Sequence, residues 1–214
     1  MSADHTGLDI VIAVHHYPPR YASGAELRAH RTAKALQAAG HTVRVVCVEH
    51  IDADPADGLT WQDDEFEGVP VHRLSFNLAT APDPLRWSFD NPWIGEHLRA
   101  WLNAERPDIV HLISGYLMSA STLQVARELG IPRVVTLTDF WFLCPRITVV
   151  RSDGRVCDTP AQPEACAVCL RKERRRYRLL DRASGGLLGK ALARYWQQRQ
   201  DSLWRTLVDR VAVL

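Results

Sequence analysis

Residues 8–48 constrain the fold more than any other part of the sequence, because their pattern predicts a strand, a loop, a helix and a second strand. Residues 8–14, LDIVIAV, form a short apolar run rich in β-branched side chains, which is typical of a strand buried on both faces. The predicted helix ends at Gly40, where a C-cap is expected, and residues 41–49 form the next strand. A unit of this kind predicts a right-handed crossover in a parallel sheet, whose ligands bind beyond the carboxyl ends of the strands.

The loop inside this unit, HHYPPRYASG at residues 15–24, lies at the ligand edge of the predicted sheet. Its prolines exclude helix, and a Ser-Gly pair then places bare backbone N–H groups at a helix N-terminus, where anions are favoured. The candidate residues for binding a phosphate or another ligand group are Tyr17, Arg20, Ser23, Gly24 and Glu26. An ordinary turn glycine and a solvated arginine are the alternatives at Gly24 and Arg20. His15 and His16 follow the strand directly, and either a structural or an acid–base role is open to them.

The rest of the chain alternates strands and helices and predicts one α/β domain over residues 1–214, a Rossmann-like parallel sheet flanked by helices. Residues 51–68 carry seven acidic side chains and predict a solvated loop or a short excursion, and residues 77–93, with three prolines, predict irregular structure. Further strands are predicted at 69–74, 109–113, 133–137 and 211–214, and helices at 93–105, 116–129, 170–182 and 187–208. His111 is expected in the core.

Four cysteines follow the strand at 133–137 with the spacing C-x12-C-x8-C-x2-C. They are Cys144, Cys157, Cys166 and Cys169, and they predict a metal-binding insertion at residues 144–170 with a hairpin around the Ser-Asp-Gly turn. Four thiolates suit tetrahedral zinc, and an iron–sulfur cluster is the alternative with the same ligands. Unligated thiols or a redox pair at the CxxC remain open. Cys47 lies within a buried strand and is expected to be a core residue.

Composition sets limits on partners and location. The net charge of +1 gives no general attraction to nucleic acid, and no apolar stretch approaches a membrane span or a signal peptide. A cytoplasmic chain is therefore expected. Seven basic residues between positions 171 and 182 form either a solvated helix face or a contact with an anionic membrane surface.

Several segments resemble the retaining glycosyltransferases of family 4, which have the GT-B fold. They are YPPRYASGAELRAHRTAKALQAAGHTVRVV at 17–46, GVPVHRL at 68–74, PDIVHLIS at 107–114 and VVTLTDFWFLCPR at 134–146. The first glycine of the family's usual Gly-Gly pair is Ser23 here. The family's usual His-Asp is Thr138-Asp139, so no histidine role is carried over to that position.

The resemblance implies the N-terminal, acceptor-side half of such an enzyme. The intact enzyme would move a sugar from a nucleotide-sugar donor to a glycan or lipid-linked acceptor with retention, and would need no catalytic metal. The donor site would belong to a C-terminal domain outside these residues or to a partner chain, so this chain alone is expected to be at most a poor transferase. Ser114, Gly115 and Thr138 would approach the acceptor, and Asp139 would either orient a sugar hydroxyl or cap the next turn. The alternative from another class is a non-catalytic, zinc-containing binding or scaffold module on a Rossmann-like fold.

Overall fold

The computed structural model describes residues 7–54, 58–199 and 201–214. The chain forms two compact units, Met1–Thr138 and Asp139–Leu214. The first contains strands β1 Asp9–Val14, β2 Thr42–His50, β3 Thr60–Phe66, β4 Val69–Ser75, β5 Ile109–Ile113 and β6 Arg133–Thr136. Its helices are α1 Gly24–Ala38, α2 Pro84–Trp87, α3 Pro92–Glu105 and α4 Ser121–Glu128, with a 3-10 turn at Leu78–Thr80.

The six strands form one sheet in the order β3-β4-β2-β1-β5-β6. All neighbouring pairs are parallel except β3 with β4. Strand β1 lies between β2 and β5, with Ile12 opposite both Val45 and His111, and every residue of β1 after Asp9 is buried. Its β-branched side chains fill both faces of the sheet, as the continuous apolar run predicts. The predicted α/β fold with a mainly parallel sheet is confirmed.

The acidic stretch predicted to be a loop contains strand β3, so that prediction was wrong for residues 60–66. This strand lies at the edge of the sheet, where it needs one partner and leaves its polar side chains in water. Two of its carboxylates contact side chains on β4: Asp63 lies 2.6 Å from the His72 ring, and Asp64 pairs with Arg73 at 2.7 Å. A polar sequence therefore became a strand because β4 supplied both backbone and charge partners.

The second unit contains helices α5 Pro163–Lys172, α6 Arg175–Ala183, α7 Leu187–Gln198 and α8 Ser202–Val213. The strand predicted at 211–214 is wrong, because those residues continue or follow α8. The Asp201 side chain starts this helix by accepting hydrogen bonds from the backbone N–H groups of Leu203 and Trp204. The predicted hairpin is not established: one isolated bridge joins Val150 and Val156 among turns and bends. Among the described helices, none has both the length and the apolar character needed to cross a membrane.

Candidate functional site at the carboxyl edge of the sheet

A buried arginine holds the loop that follows β1. Arg73 on β4 is 6% exposed, and its guanidinium donates to the carbonyl oxygens of Tyr17 at 3.5 Å and Pro18 at 2.7 Å. It also pairs with Glu49 at 3.0 Å and Asp64 at 2.7 Å. Burial opposes the charge, but the hydrogen bond to Asp64 and the other nearby groups raise the pKa of Arg73 above its ordinary value. The loop backbone is therefore fixed by a permanent cation beneath it.

Tyr17 supports the loop from inside. Its side chain has no exposed surface, and its hydroxyl makes a 2.9 Å hydrogen bond with Nδ1 of His30 on α1. Burial raises the pKa of the Tyr17 phenol, so the group stays neutral. Of the candidates in this loop, Tyr17 thus contacts protein on all sides, and its part in a site is to position the loop.

Glu26 lies at the centre of the site, in the first turn of α1, and is 3% exposed. The Ser23 hydroxyl donates to its Oε2 at 2.6 Å, and Nε2 of His15 lies 3.1 Å from its Oε1. Burial would raise the pKa of this carboxyl, but the Ser23 hydrogen bond, its own backbone N–H and the neighbouring His15 and His16 hold the pKa below its ordinary value. Glu26 is therefore a buried carboxylate that orients His15. The sequence analysis treated His15 and Glu26 as separate candidates. They are 11 positions apart, and only the fold brings them into contact.

His16 and Arg20 take different places. Nδ1 of His16 lies 2.6 Å from the Val48 carbonyl oxygen, and its ring stacks on Tyr21 at 3.9 Å, so His16 is a structural contact between the loop and β2. Arg20 lies further out, with half of its side chain exposed, and donates to the His50 ring at 2.9 Å. Arg20 is thus accessible at the rim of the site.

Gly24 opens α1 beside a shallow groove. The groove is lined by Gly24, Arg28, Arg31, Thr32 and Ala35. A Cβ built on Gly24 would meet no atom within 4 Å, so the chain itself leaves room for a side chain there. Arg28 and Arg31 are exposed, and with the helix N-terminus they make this groove attractive to an anion. The sequence analysis missed both arginines, although their spacing of three on a helix places them on one face.

The end of β5 completes this side of the site. Ser114 is buried and has left-handed backbone, with φ of 68°, and its hydroxyl accepts a 3.3 Å hydrogen bond from the N–H of Tyr116. This turn through Gly115 brings the Tyr116 ring edge-on to His15, with 5.6 Å between ring centroids. The candidates Ser114 and Gly115 therefore lie beside the loop after β1, and Tyr116 is a contact residue that the sequence analysis did not single out.

The neighbouring candidates Thr138 and Asp139 belong to different compact units. Thr138 is exposed after β6 in the first unit, whereas Asp139 begins the second. Oδ1 of Asp139 accepts a 2.8 Å hydrogen bond from the N–H of Trp141, which is the capping arrangement. His111 lies in the sheet but is only partly buried, with Nε2 2.8 Å from the Thr136 hydroxyl, and burial lowers the pKa of its ring.

All four clustered cysteines belong to the second unit and line one cavity. Within the described part of the chain, no group of three or more His, Cys, Asp or Glu side chains is arranged as it stands to hold a metal ion.

The model of the glycosyl transferase 4-like domain matches residues 23–199, a range that runs from the Ser23-Gly24 turn through the sheet and the cysteine region. The chain belongs to the glycosyl transferase 4-like domain family. The resemblance in the four sequence segments is thus confirmed, and the family assignment supports glycosyl transfer as the reaction and a transferase as the class of enzyme. It gives no support to the alternative of a non-catalytic zinc-containing scaffold.

Other comparisons add little to this assignment. No curated protein matches the chain. Among solved structures, the C-terminal domain of a hydrogenase from Pyrococcus furiosus is 18% identical, and the match covers 64% of this chain and 96% of that one, with a TM-score of 0.39. A structural likeness at that level supports no conclusion about this chain.

Proposed function

We propose that this chain is the acceptor-side domain of a retaining glycosyltransferase that moves a sugar from a nucleotide-sugar donor to a hydroxyl of a glycan or lipid-linked acceptor. One observation carries the proposal beyond family membership: the buried Glu26 carboxylate holds His15 at the carboxyl edge of the sheet, beside the open N-terminus of α1. Ligands of open parallel sheets bind at this edge.

The arrangement suits recognition of a hydroxylated, anionic acceptor. His15 has its Nε2 against Glu26 and its Nδ1 buried, and Tyr116 flanks the ring, so His15 positions the end of β1 beside the acceptor. The N–H groups at Gly24, with Arg28 and Arg31, favour a phosphate. Such a site acts through positioning and electrostatic stabilisation, and needs no catalytic metal.

The other sequence candidates keep their proposed roles. Arg20 meets an anionic group at the rim, Ser114 and Gly115 border the acceptor, and Thr138 contacts a sugar hydroxyl. In the second unit, Asp139 caps the turn that follows it. The nucleotide sugar itself is assigned to a C-terminal domain or a partner chain. Accordingly, this chain incubated alone with nucleotide sugars and acceptors should give little turnover, and robust turnover would show that the donor site lies within it.

A peripheral membrane contact belongs to the same proposal, because a lipid-linked acceptor resides in a bilayer. Arg171 and Lys172 are held by Asp201 and Asp181, but Arg174, Arg175, Arg176 and Arg182 are exposed along and beside α6. Leu179 and Leu180 of the same helix are also about half exposed. Basic and apolar side chains together favour an anionic lipid surface. Binding to phosphatidylglycerol vesicles, weakened by salt and absent with phosphatidylcholine, is the expected result, and equal recovery with both lipids would contradict it.

The acceptor site is tested by calorimetry with a panel of oligosaccharides and short-chain polyprenyl phosphates. Gly24→Val should weaken binding of the best ligand by about tenfold or more, equivalent to roughly 1.4 kcal/mol, because its side chain occupies the groove. Ala38→Val is the matched control, since it adds the same side chain at the exposed far end of α1. Equal effects of the two substitutions, or the absence of any bound acceptor, would overturn the proposed site.

A further inference from the structure

Four cysteine side chains of the second unit surround one small cavity. Cys144, Cys157, Cys166 and Cys169 all line it, together with Arg146 and Arg151 among others, and all four are free thiols. The cavity has a volume of about 20 Å³, which is room for a water-sized particle and too little for an organic ligand. These residues come from a stretch of 26 positions and reach the cavity from a loop and from α5.

The segment that carries them has almost no apolar core of its own. Between Cys144 and Cys169, the described buried residues are Cys144 and Ala167, and Val156 is 79% exposed. Ile147 and Val149 hold left-handed backbone, with φ of 67° and 48°, which is unfavourable for β-branched residues. Burial of apolar surface therefore does not account for this conformation, and a cross-link between the cysteines would.

Charge around the cavity gives an independent argument. Arg210 on α8 is 3% exposed, it donates to the Trp141 carbonyl oxygen, and no described carboxylate pairs with it. The ionisable groups that it faces are the thiols of Cys166 and Cys144. A buried cation without a counter-charge is strongly unfavourable, and thiolates held by a metal would supply that charge.

Further donors point at the sulfur atoms. Arg146 and Arg151 line the same cavity, close to Cys169 and Cys157 respectively, and they also pair with Glu173 and Asp158. The backbone N–H of Ser152 donates to Sγ of Cys169 at 3.4 Å. Hydrogen bonds to ligand atoms orient and stabilise the ligands of a metal site, and four thiolates around a divalent ion carry net negative charge that nearby cations favour.

We propose that Cys144, Cys157, Cys166 and Cys169 bind one structural zinc ion, which fastens the loop between them to α5 and, through Arg210, to α8. Zinc favours four thiolates in tetrahedral geometry. As the thiols stand they are not arranged as ligands, so binding requires rotation of their side chains. The site is independent of the proposed acceptor site and has no part in its chemistry.

The first test is metal analysis of protein purified without added metal. One zinc per chain is the expected result, and it should be lost in Cys166→Ser or Cys169→Ser. Cys47→Ala is the matched control: this thiol is buried in β2, where burial raises its pKa to about 12, and zinc content should not change. A metal-free protein would overturn the proposal, as would a brown protein containing iron and inorganic sulfide.

The second test needs no substitution and so does not depend on whether a variant folds. A thiol reagent should find the four clustered cysteines protected in the native protein and reactive after treatment with a strong chelator, while Cys47 stays unreactive in both states. Hydrogen exchange should show loss of protection at the N–H groups of Cys157 and Cys166 after chelation, with none in β1 or β2. Four thiols that react freely before chelation would overturn the site.

Discussion

Nε2 of His15 lies 3.1 Å from Oε1 of Glu26, and this contact joins the end of the first strand to the first turn of the first helix. The carboxylate is almost fully buried and is held a second time by the Ser23 hydroxyl. The His15 ring at the ligand edge of the sheet is thus held by a carboxylate that a ligand cannot reach, and the pair fixes the end of β1 against α1.

Glu26→Gln should weaken acceptor binding and destabilise the fold, because the amide loses the charge while keeping the shape. We expect unfolding free energy to fall by about 1–3 kcal/mol, as for a disrupted buried charge-assisted hydrogen bond. Glu67→Gln is the matched control: Glu67 also contacts a histidine, His30, at 3.0 Å, but its side chain is 63% exposed. Urea denaturation and acceptor calorimetry of both variants measure the difference. Equal losses in the two would contradict a special role for Glu26.

Gly24→Ala should leave the fold intact. Its Cβ meets no atom, and the residue is not in the left-handed region, so unfolding free energy should be unchanged or rise by up to about 1 kcal/mol. Gly130→Ala provides the contrast, because Gly130 has φ of 71° and a side chain there should cost about 1 kcal/mol or more. Denaturant titration compares them. A large loss at Gly24 would mean that the glycine is required by the fold and not by a ligand.

Arg73→Met should lower the unfolding free energy by about 3 kcal/mol or more, because it removes the ion-pair partner of Asp64 and the nearer partner of Glu49. It also leaves the carbonyl groups of Tyr17 and Pro18 without their donor. Arg99→Met removes an ion pair with Glu128 in which both side chains are about half exposed, and should cost at most about 1 kcal/mol. Thermal and urea unfolding measure the loss of unfolding free energy in each variant. Near-equal values would show that Arg73 does not hold the loop.

The stability of the first unit should fall in mildly acidic solution, partly through His97. Burial and the neighbouring His72 lower the pKa of His97 to about 4, with Asp63 opposing, and its ring is also in contact with Trp61. A histidine in the unfolded chain binds a proton near pH 6.5, whereas the folded His97 ring stays neutral until about pH 4. The unfolding free energy should therefore decrease as the pH falls from about 6.5 towards 4.

His97→Gln should make that decrease shallower. His111, whose pKa is also lowered by burial, adds a component of the same sign that remains in the variant. Urea titrations of both proteins across this pH range measure the two slopes. An unchanged slope in the variant would show that His97 does not contribute.

The sequence by itself determined the strands and helices whose signals are local. Ile109–Ile113 has the predicted bounds, and α1 ends before a Gly40 of positive φ, because apolar periodicity and a glycine at a helix end act within a few residues. The order of the motifs was likewise enough to indicate the family that the domain comparison shows.

Tertiary structure decided the features that depend on a distant partner. β3 forms because β4 offers an edge together with a histidine and an arginine for its carboxylates. Residues 211–213 remain helical although their short apolar run resembles a strand. The His15–Glu26 contact and the convergence of the cysteines on one cavity arise in the same way. Each of these features depends on residues that are distant in sequence and that the fold brings together. Local propensity does not specify which side chains will face each other across the fold.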